Sequence, residues 1–307
     1  MRTIKAIDSI TAFSHYQNND AIIIDVRENH EFDHEHIPNA HHIPLSLLRV
    51  CTLPFYKPHQ KIILHCKVGM RSEMACFQLL SENPALDVYN LSGGIIDWKM
   101  SGLPLNQDHI YTVGVLLFPG FELLDAFGPI EMLGSWPARF RILMLAEHTT
   151  SVKSAQHVSI DIDAALHDAP PLDFLLVPGG VGTRTEINNL ALLHFIQAQA
   201  KTVQSILSVC TGAALLAKSG VLDHRSATTN KIAFEWVTKQ SDAVTWVKKA
   251  RWVIDDNIIT SSGVAAGMDM TLDFIAKLCG YGVAKRIAHK TEYTWNEDPE
   301  NDPFYAM

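Results

Sequence analysis

The sequence predicts an α/β protein with two domains, the larger built on a doubly wound parallel sheet. The first observation is length, because 307 residues are more than one core usually needs. The second is that short Ile- and Val-rich runs alternate with helical patterns along the chain. The third is segment 101–109 (SGLPLNQDH), whose Gly, Pro, Asn and Asp residues interrupt this alternation and indicate a linker. We therefore place the domains at residues 1–107 and 108–307.

In the first domain, three apolar runs have the length and composition of strands that are buried on both faces. A helix is predicted over 8–17 with Asp8 or Ser9 as its cap, and a second over 72–82 that opens at Ser72. The result is an alternating α/β unit of about 100 residues. The predicted strands are 21–26 (AIIIDV), 61–66 (KIILHC) and 87–91 (DVYNL).

The second domain repeats this alternation over a longer stretch, which predicts a doubly wound, mostly parallel sheet. Segment 296–307 (NEDPENDPFYAM) is acidic and contains proline, so we expect it to follow the surface without regular structure. The predicted strands are 110–117, 140–146, 173–178, 204–209 and 257–261. The predicted helices are 122–133, 187–200, 212–219, 230–239 and 267–279.

Composition excludes several classes of function. The net charge is 25 − 33 = −8, which argues against non-specific binding to nucleic acid or to an anionic membrane. No apolar run reaches the roughly 18 residues of a membrane span, and the first residues show no secretory core. The five cysteines are scattered without a CxxC pair, which argues against disulfides or a zinc site and favours a reducing compartment. A cytoplasmic location is therefore expected.

The stretch HCKVGMRS places Cys66 at the end of a predicted strand and before a predicted helix. Gly69 can adopt a positive φ, which would turn backbone N–H groups inward, and the helix adds its positive end. Lys67 contributes further positive charge. All of these features favour a thiolate and predict a lowered pKa for Cys66. The alternative is a buried structural cysteine, with Arg71 engaged only in a salt bridge.

Three longer motifs around this loop resemble the rhodanese (sulfurtransferase) family over roughly residues 5–107. The resemblance implies that Cys66 is the sulfur-accepting nucleophile and that Arg71 orders the loop around it. It further implies that Asp25 and Arg27 stabilise the framework around the loop. In this family a loop of this length binds sulfur, because the tetrahedral phosphate group needs a wider loop. The loop residues are Lys67, Val68, Gly69 and Met70, and the motifs are 25–45 (DVRENHEFDHEHIPNAHHIPL), 66–72 (CKVGMRS) and 91–105 (LSGGIIDWKMSGLPL).

Two features of the first motif need comment. Glu35 and Asn39 stand where the family usually has glycines, a difference that concerns the turn and not the chemistry. Five histidines crowd the same motif, but their HxH and HH spacing does not put two ligands on one helix face. No metal and no cofactor are therefore expected. These histidines are His30, His34, His36, His41 and His42.

A second cysteine, Cys210, lies between an apolar strand and a helix in ILSVCTGAALLAKSG. A nucleophile on such a tight turn is expected to be exposed, and the helix N-terminus should favour its thiolate. The glycines of segment 177–182 (VPGGVG), after another strand, could supply N–H groups for an oxyanion. The alternative is a small buried residue at a helix start, beside an ordinary turn.

Residues 110–307 resemble the DJ-1/PfpI superfamily, which has a class I glutamine amidotransferase-like fold. The branch they resemble most includes isonitrile hydratase-like proteins and the ligand-domain portion of certain AraC-type regulators. The resemblance implies Cys210 as nucleophile, Asp125 as the facing carboxylate, Gly180 and the Thr211 backbone as oxyanion donors, and a homodimer. The partly apolar stretch 121–136 (FELLDAFGPIEMLGSW) is a candidate interface. The motifs are 111–133 (YTVGVLLFPGFELLDAFGPIEML), 226–237 (SATTNKIAFEWV) and 259–278 (ITSSGVAAGMDMTLDFIAKL).

One departure from this superfamily affects the predicted reaction. Thr211 follows the nucleophile where PfpI-type proteases have histidine, and Asn230 replaces a histidine that is common in the nearer branch. Without a Cys-His pair, protease activity is not expected. Hydration of a small electrophile, isonitrile-like or α-oxoaldehyde-like, needs only a thiolate, a carboxylate and oxyanion donors.

The leading interpretation is therefore a sulfurtransferase, with a small sulfur donor and a thiol or cyanide acceptor, fused to a hydratase or hydrolase. An alternative is a redox or reactive-sulfur sensor that uses both cysteines, with the second domain a non-catalytic binding module. A third interpretation is a transcriptional regulator like the AraC-type proteins. The acidic segment after Cys279 argues against it, because no helix-turn-helix fits there.

Overall fold

The computed structural model of this chain describes residues 4–106 and 109–306. Two compact units are present: residues up to His109 together with Leu272–Tyr293, and Ile110–Thr271 together with the residues from Thr294 onward. The boundary predicted between residues 107 and 108 lies outside the described residues, so the division into 1–107 and 108–307 stays a prediction. The structure differs from it in that Leu272–Tyr293 groups with the first unit.

The first unit contains a five-stranded parallel sheet in the order β1-β5-β4-β2-β3. The three strands predicted from apolar runs are its inner strands, which confirms that reading. The two edge strands have only two or three residues, too few to show a periodicity. The strands are β1 (Lys5–Ile7), β2 (Ala21–Asp25), β3 (His41–His42), β4 (Lys61–His65) and β5 (Val88–Leu91).

Four helices of the first unit precede the second sheet in the chain. The first begins as predicted, with the Asp8 side chain accepting a hydrogen bond from the Thr11 N–H at 2.9 Å. The prediction that the third opens at Ser72 was wrong: it begins at Met70, after Gly69 with φ 103°. Ser72 is fully buried and its hydroxyl faces the Cys66 loop. The helices are α1 (Ser9–Gln17), α2 (Asn29–His34), α3 (Met70–Glu82) and α4 (Gly94–Met100).

The second unit contains a seven-stranded sheet in the order β10-β7-β6-β11-β12-β16-β15. All neighbours in it are parallel except β15 and β16, which confirms the mostly parallel prediction. Two short two-stranded ladders, β8 with β9 and β13 with β14, lie outside this sheet. The strands are β6 (Tyr111–Leu116), β7 (Phe140–Ala146), β8 (Val152–Lys153), β9 (Ser159–Ile160), β10 (Ala164–Ala165), β11 (Phe174–Val177), β12 (Ser205–Val209), β13 (Ser226–Ala227), β14 (Thr245–Trp246), β15 (Trp252–Asp255) and β16 (Ile258–Ser261).

The helices that follow the strands of this sheet differ from prediction at two places. The helix predicted over 187–200 is shorter, Leu190–Gln199, and is capped by the Asn189 side chain, while a separate one-turn helix, Thr183–Glu186, precedes the predicted start. The helix predicted over 230–239 is shorter, since Lys231 is held by hydrogen bonds to Thr228 and Thr229. The helices are α5 (Leu123–Gly134), α6 (Thr183–Glu186), α7 (Leu190–Gln199), α8 (Gly212–Lys218), α9 (Phe234–Thr238) and α10 (Ala266–Cys279).

Helix α11 (Tyr281–Lys290) packs on the first unit, although the sequence placed it in the second domain. Its Arg286 donates to the His42 ring at 2.9 Å and lies 3.6 Å from the Asp33 carboxylate. Gly280, just before the helix, has φ 110°, and a Cβ there would lie 2.4 Å from the His42 backbone nitrogen. Only glycine permits this approach, so the helix is fitted closely to β3.

No helix of the described residues combines the length and apolar character needed to cross a membrane. The segment predicted to lack regular structure, 296–307, contains no helix or strand over its described part, 296–306. Both sheets place the carboxyl ends of parallel strands at one edge. Loops that follow neighbouring strands therefore meet there, and Cys66 and Cys210 each follow such a strand.

Candidate active sites at Cys66 and Cys210

Cys66 follows β4, the central strand of the five-stranded sheet, and is almost completely buried. The Gly69 N–H donates to its sulfur at 3.2 Å, and the Ser72 hydroxyl lies 3.5 Å from the same atom. The backbone turns sharply enough for both contacts because Gly69 has a positive φ. The loop therefore surrounds the sulfur with hydrogen-bond donors, as the sequence predicted.

Helix α4 closes the other side of the loop. The Ile95 N–H donates to the Cys66 carbonyl at 2.9 Å, and the Ile96 N–H to the Lys67 carbonyl at 3.3 Å. A Cβ on Gly94 would lie 2.4 Å from the Cys66 carbonyl oxygen, so no other residue fits there without a shift. The Cys66 loop is thus fixed on both sides by backbone contacts.

The hydrogen bonds determine the acidity of Cys66. Burial raises the pKa of this thiol, but the Ser72 hydroxyl and the N–H groups of Ser72, Val68 and Gly69 more than offset burial. The pKa of Cys66 is therefore lowered, which confirms the direction predicted from the sequence. From the sequence, Ser72 is predicted only to begin a helix, and its contact with the sulfur is missed. The available signal was its position in the first turn of α3, six residues after Cys66.

Arg71 forms a two-pronged ion pair with Glu31 of α2, with N···O distances of 2.6 and 2.7 Å. Hydrogen bonding from Arg71 holds the pKa of Glu31 at about 2. The sequence left open whether Arg71 forms only a salt bridge, and the structure shows that this salt bridge is present. Arg71 also interacts electrostatically with Cys66. Around the mouth of the loop, Lys67 and Met70 are exposed and Val68 is half-exposed.

Asp25 and Arg27 lie buried behind the loop. Arg27 donates to both carboxylate oxygens of Asp25, the shortest contact being 2.6 Å, and also to the Glu35 carbonyl at 2.7 Å. The ring of His65, the last residue of β4, lies 3.5 Å from Asp25. This network ties the first motif to the strand that carries Cys66, which is consistent with the framework role inferred for the pair.

Cys210 follows β12 and has φ 57°, a left-handed conformation that is strained for a residue with a side chain. Its N–H donates to the Ser262 carbonyl at 3.0 Å, and its carbonyl accepts from the Thr229 hydroxyl at 2.7 Å. The tight turn predicted from the sequence is present. The expectation of an exposed side chain was wrong, because Cys210 is only 7% exposed.

Asp125 reaches Cys210 because β6, β11 and β12 are neighbours in the sheet. The carboxyl group is completely buried and accepts a hydrogen bond from the Gly179 N–H at 2.9 Å. Its other oxygen has no hydrogen-bond partner in the described part of the chain. A Cβ on Gly179 would lie within 2.8 Å of both Asp125 and Thr211, so the loop after β11 needs glycine at this point.

Burial and the repulsion between two adjacent negative charges favour the protonated forms of Asp125 and Cys210. Burial raises the pKa of Asp125 to about 7. Burial and the adjacent Asp125 carboxylate raise the pKa of the Cys210 thiol well above its ordinary value, and the Thr211 and Val264 N–H groups only partly offset this. The lowered pKa predicted for Cys210 was therefore wrong. Two adjacent anions are disfavoured, so the two groups titrate together.

The predicted oxyanion donors are not equivalent. The Gly180 N–H already donates to the Thr211 hydroxyl at 2.9 Å, so that hydrogen is not directed at a ligand. The Thr211 N–H faces the Cys210 sulfur, together with the Val264 N–H, which sequence reasoning missed. Val264 follows β16, another neighbour of β12, and nothing in the local sequence marks it.

Within the described ranges, no group of three His, Cys, Asp or Glu side chains is placed to hold a metal ion. Two of the clustered histidines instead pack against an aromatic ring. His36 and His42 stack on Phe32 with ring centroids 4.2 and 4.4 Å apart. The rings of His36 and His42 are thus part of the packing of the first unit, whereas His30 and His34 are exposed.

Comparison with known families separates the two halves of the chain. The DJ-1/PfpI family matches residues 111–277, and the Rhodanese-like domain matches residues 11–101. Isonitrile hydratase from Pseudomonas putida is 32% identical over 181 residues, which cover 59% of this chain and 78% of that protein. A sulfurtransferase from Allochromatium vinosum is 33% identical over 88 residues, 28% of this chain and 78% of that protein.

Two further similarities concern the second unit. The HTH-type transcriptional regulator GbdR from Pseudomonas aeruginosa is 29% identical over 62% of this chain, which spans only 53% of the regulator. The crystal structure of a ThiJ/PfpI family protein from Pseudomonas syringae is 28% identical with a TM-score of 0.55, covering 64% of this chain and 78% of that one. The chain therefore belongs to the DJ-1/PfpI family, in its isonitrile hydratase-like branch, and carries a rhodanese-like domain over residues 11–101.

Proposed function

We propose that this chain is a sulfurtransferase that carries sulfur as a persulfide on Cys66. The observation that carries the proposal is the lowered pKa of a buried thiol enclosed by N–H and hydroxyl donors. Those donors would also hold the terminal sulfur anion of a persulfide, which has the same charge. The similarity to a sulfurtransferase over the same residues supports this reaction class.

With thiosulfate as donor, the Cys66 thiolate attacks the outer sulfur, an S–S bond to Cys66 forms, and sulfite leaves with the electron pair of the broken bond. An acceptor such as cyanide or a thiolate then attacks the terminal sulfur and regenerates the Cys66 thiolate. The exposed Lys67 side chain at the mouth of the loop favours the approach of both anions. The reaction needs no cofactor and no net proton transfer.

The experiment is intact-mass spectrometry after treatment with thiosulfate. The wild type should gain the mass of one sulfur atom and Cys66→Ser should not, with cyanide removing the added mass. Cys76→Ser is the matched control, because Cys76 is also buried in the first unit but has its pKa raised to about 12 by burial. A sulfur that persists in Cys66→Ser, or vanishes in Cys76→Ser, would contradict the proposal.

We infer a second activity at Cys210, the hydration of a small electrophile such as an isonitrile. The observation that favours it is the buried Asp125 beside the thiol, with a pKa raised to about 7. As the Cys210 sulfur adds to the isonitrile carbon, a protonated Asp125 can give its proton to that carbon and take up the proton that leaves the thiol, so that the addition needs no outside acid or base. Water then attacks the resulting thioimidate, and expulsion of the thiol yields a formamide.

This second activity is tested by turnover of a panel of small isonitriles and α-oxoaldehydes. Cys210→Ala and Asp125→Asn should each abolish hydration, while Cys66→Ser should leave it unchanged. Asp125→Asn should keep a Cys210 that iodoacetamide can alkylate, whereas Cys210→Ala removes that label. If the wild type turns over no member of the panel, the second domain is better described as a non-catalytic binding module. That outcome favours the alternative in which the two cysteines act as sensors of oxidants or reactive sulfur.

A further inference from the structure

The segment from Trp295 to Asp302 is fixed to the second unit although it contains no helix or strand. The Trp295 indole donates to the Asp269 carbonyl at 3.2 Å, and the Asn296 N–H to the Asp269 carboxylate at 2.9 Å. The Arg251 N–H donates to the Pro299 carbonyl at 2.6 Å. This segment lies beyond residue 277, where the match to the DJ-1/PfpI family ends.

A buried ion pair anchors the end of this segment. Asp302 is 1% exposed, and its carboxylate lies 3.2 Å from the Lys231 ammonium group. The Ser262 hydroxyl donates to the same carboxylate. Lys231 also donates to the Thr229 and Ala250 carbonyls at 3.0 and 2.9 Å. A charge this buried is stable only with its partner, so the pair fixes the position of the residues that follow.

Beside this anchor lies a cavity of about 350 Å³, within the range of small-molecule sites. Its walls are mostly apolar and include Ile232, Val264, Ala265 and Phe304. The cavity adjoins the Cys210 turn, because the Val264 N–H faces the Cys210 sulfur and Ser262, another lining residue, accepts from the Cys210 N–H. Phe304 is two residues beyond the Asp302 anchor, and its N–H donates to the Asp302 carboxylate at 3.0 Å.

The two cationic side chains at this cavity are already neutralised. Lys231 is paired with Asp302, and Arg251 donates to the Asp269 carboxylate at 2.7 Å. The cavity therefore offers no uncompensated charge to an ionic ligand. Asn230 offers a neutral polar contact, because its side-chain oxygen is buried and has no hydrogen-bond partner in the part of the chain that the structure describes.

We propose that Phe304 forms one wall of the substrate pocket beside Cys210 and selects neutral substrates that carry an apolar group. The wall is held in place by the Asp302–Lys231 pair. This inference rests on the proposed hydration activity only for the identity of the substrate. The Asn230 oxygen would accept from the N–H that appears when an isonitrile carbon is hydrated. The segment after the family match thus acts as a specificity element.

The test compares binding of benzyl isonitrile and methyl isonitrile to the full chain, by ligand-observed NMR titration in a Cys210→Ser background that prevents turnover. We expect Phe304→Ala to weaken the benzyl probe about tenfold, because it removes part of an apolar wall, and to change the methyl probe little. Phe304→Leu should give an intermediate loss. Phe304 is about half exposed, so these changes should leave the fold intact, which thermal unfolding would verify.

Tyr305→Ala is the matched control. Tyr305 is an equally exposed aromatic residue of the same segment, but its ring faces the Lys249 ammonium at 5.8 Å and does not line the cavity. Equal effects of Phe304→Ala and Tyr305→Ala, or no binding of benzyl isonitrile at all, would overturn the proposal. Phe304-dependent binding to the Cys210→Ser chain, together with no turnover of either isonitrile by the chain with Cys210 intact, would support the pocket and reject hydration. Turnover that ignores Phe304 would do the reverse.

Discussion

The sites at Cys66 and Cys210 share a position in the fold but differ in electrostatics. Each cysteine follows a central parallel strand, precedes a helix and is buried. The pKa of Cys66 is lowered because donors from Val68, Gly69 and Ser72 outweigh burial. The pKa of Cys210 is raised because burial and the Asp125 carboxylate outweigh the Thr211 and Val264 N–H groups.

The contrast shows that a strand-to-helix turn does not by itself determine thiol acidity. The number of hydrogen-bond donors at the sulfur and the charge of the nearest side chain decide it. At Cys66 the groups that lower the thiol pKa are hydrogen-bond donors of the loop and of α3. At Cys210 the Asp125 carboxylate is, after burial, the main cause of the raised thiol pKa. The first arrangement suits a nucleophile that is ready as an anion, and the second suits one that acts together with a proton donor.

The largest expected effect is the difference in alkylation between the two thiols. Labelling by iodoacetamide against pH, resolved by mass spectrometry, should place the midpoint of Cys66 below that of an ordinary thiol and the midpoint of Cys210 above it. At pH 7 we expect Cys66 to react about 100-fold faster. The exposed Cys51 serves as internal reference. Equal midpoints for the two residues would show that the contrast is wrong.

Asp125→Asn should reduce the difference in pKa between Cys210 and Cys66, because it removes the carboxylate adjacent to Cys210. We expect Cys210 to be alkylated about tenfold faster at pH 7, and Glu122→Gln, at the start of the same helix, to change the rate little.

The stability of the folded protein should change with pH as well. The pKa of Asp125 rises from 3.8 to about 7 on folding, so the folded protein holds a proton that the unfolded chain releases. Stability therefore falls as pH rises from about 4 to 7.

In Asp125→Asn this loss of stability should disappear, and the free energy of unfolding at pH 8 should exceed that of the wild type. Urea unfolding at pH 4 and at pH 8 measures the effect. An unfolding free energy for the variant that falls between pH 4 and 7 as much as in the wild type would contradict the assignment of the raised pKa to Asp125.

Ser72→Ala should have the smallest effect and should act only on Cys66. It removes a hydroxyl that lies 3.5 Å from the sulfur and 2.7 Å from the Asn90 side-chain oxygen, so the labelling midpoint of Cys66 should shift upward and its rate at pH 7 should fall about threefold. Ser81→Ala, an exposed hydroxyl on the same helix, is the control. A shift of the Cys210 midpoint in Ser72→Ala, or none at Cys66, would show that the hydroxyl does not act on this sulfur.

The sequence alone determined the α/β class, the parallel sheets and the position of each cysteine at a strand end. These features depend on local patterns, namely apolar runs of strand length, helical periodicity and glycines at turns. The sequence motifs around each cysteine also located the two segments that resemble known families. The edge strands were missed because two to four residues are too few to show a periodicity. Helix α11 was missed although its buried residues Val283, Ala284, Ile287 and Ala288 repeat at helical spacing.

Only the tertiary structure decided how the sites are charged. Arg71 meets Glu31 from 40 residues away, and Lys231 meets Asp302 from the far end of the second unit. The pKa of Cys210 depends on a carboxylate that sheet order, not sequence distance, brings beside it. Burial and charge pairing arise from contacts between distant segments, so no local pattern in the sequence encodes their sign.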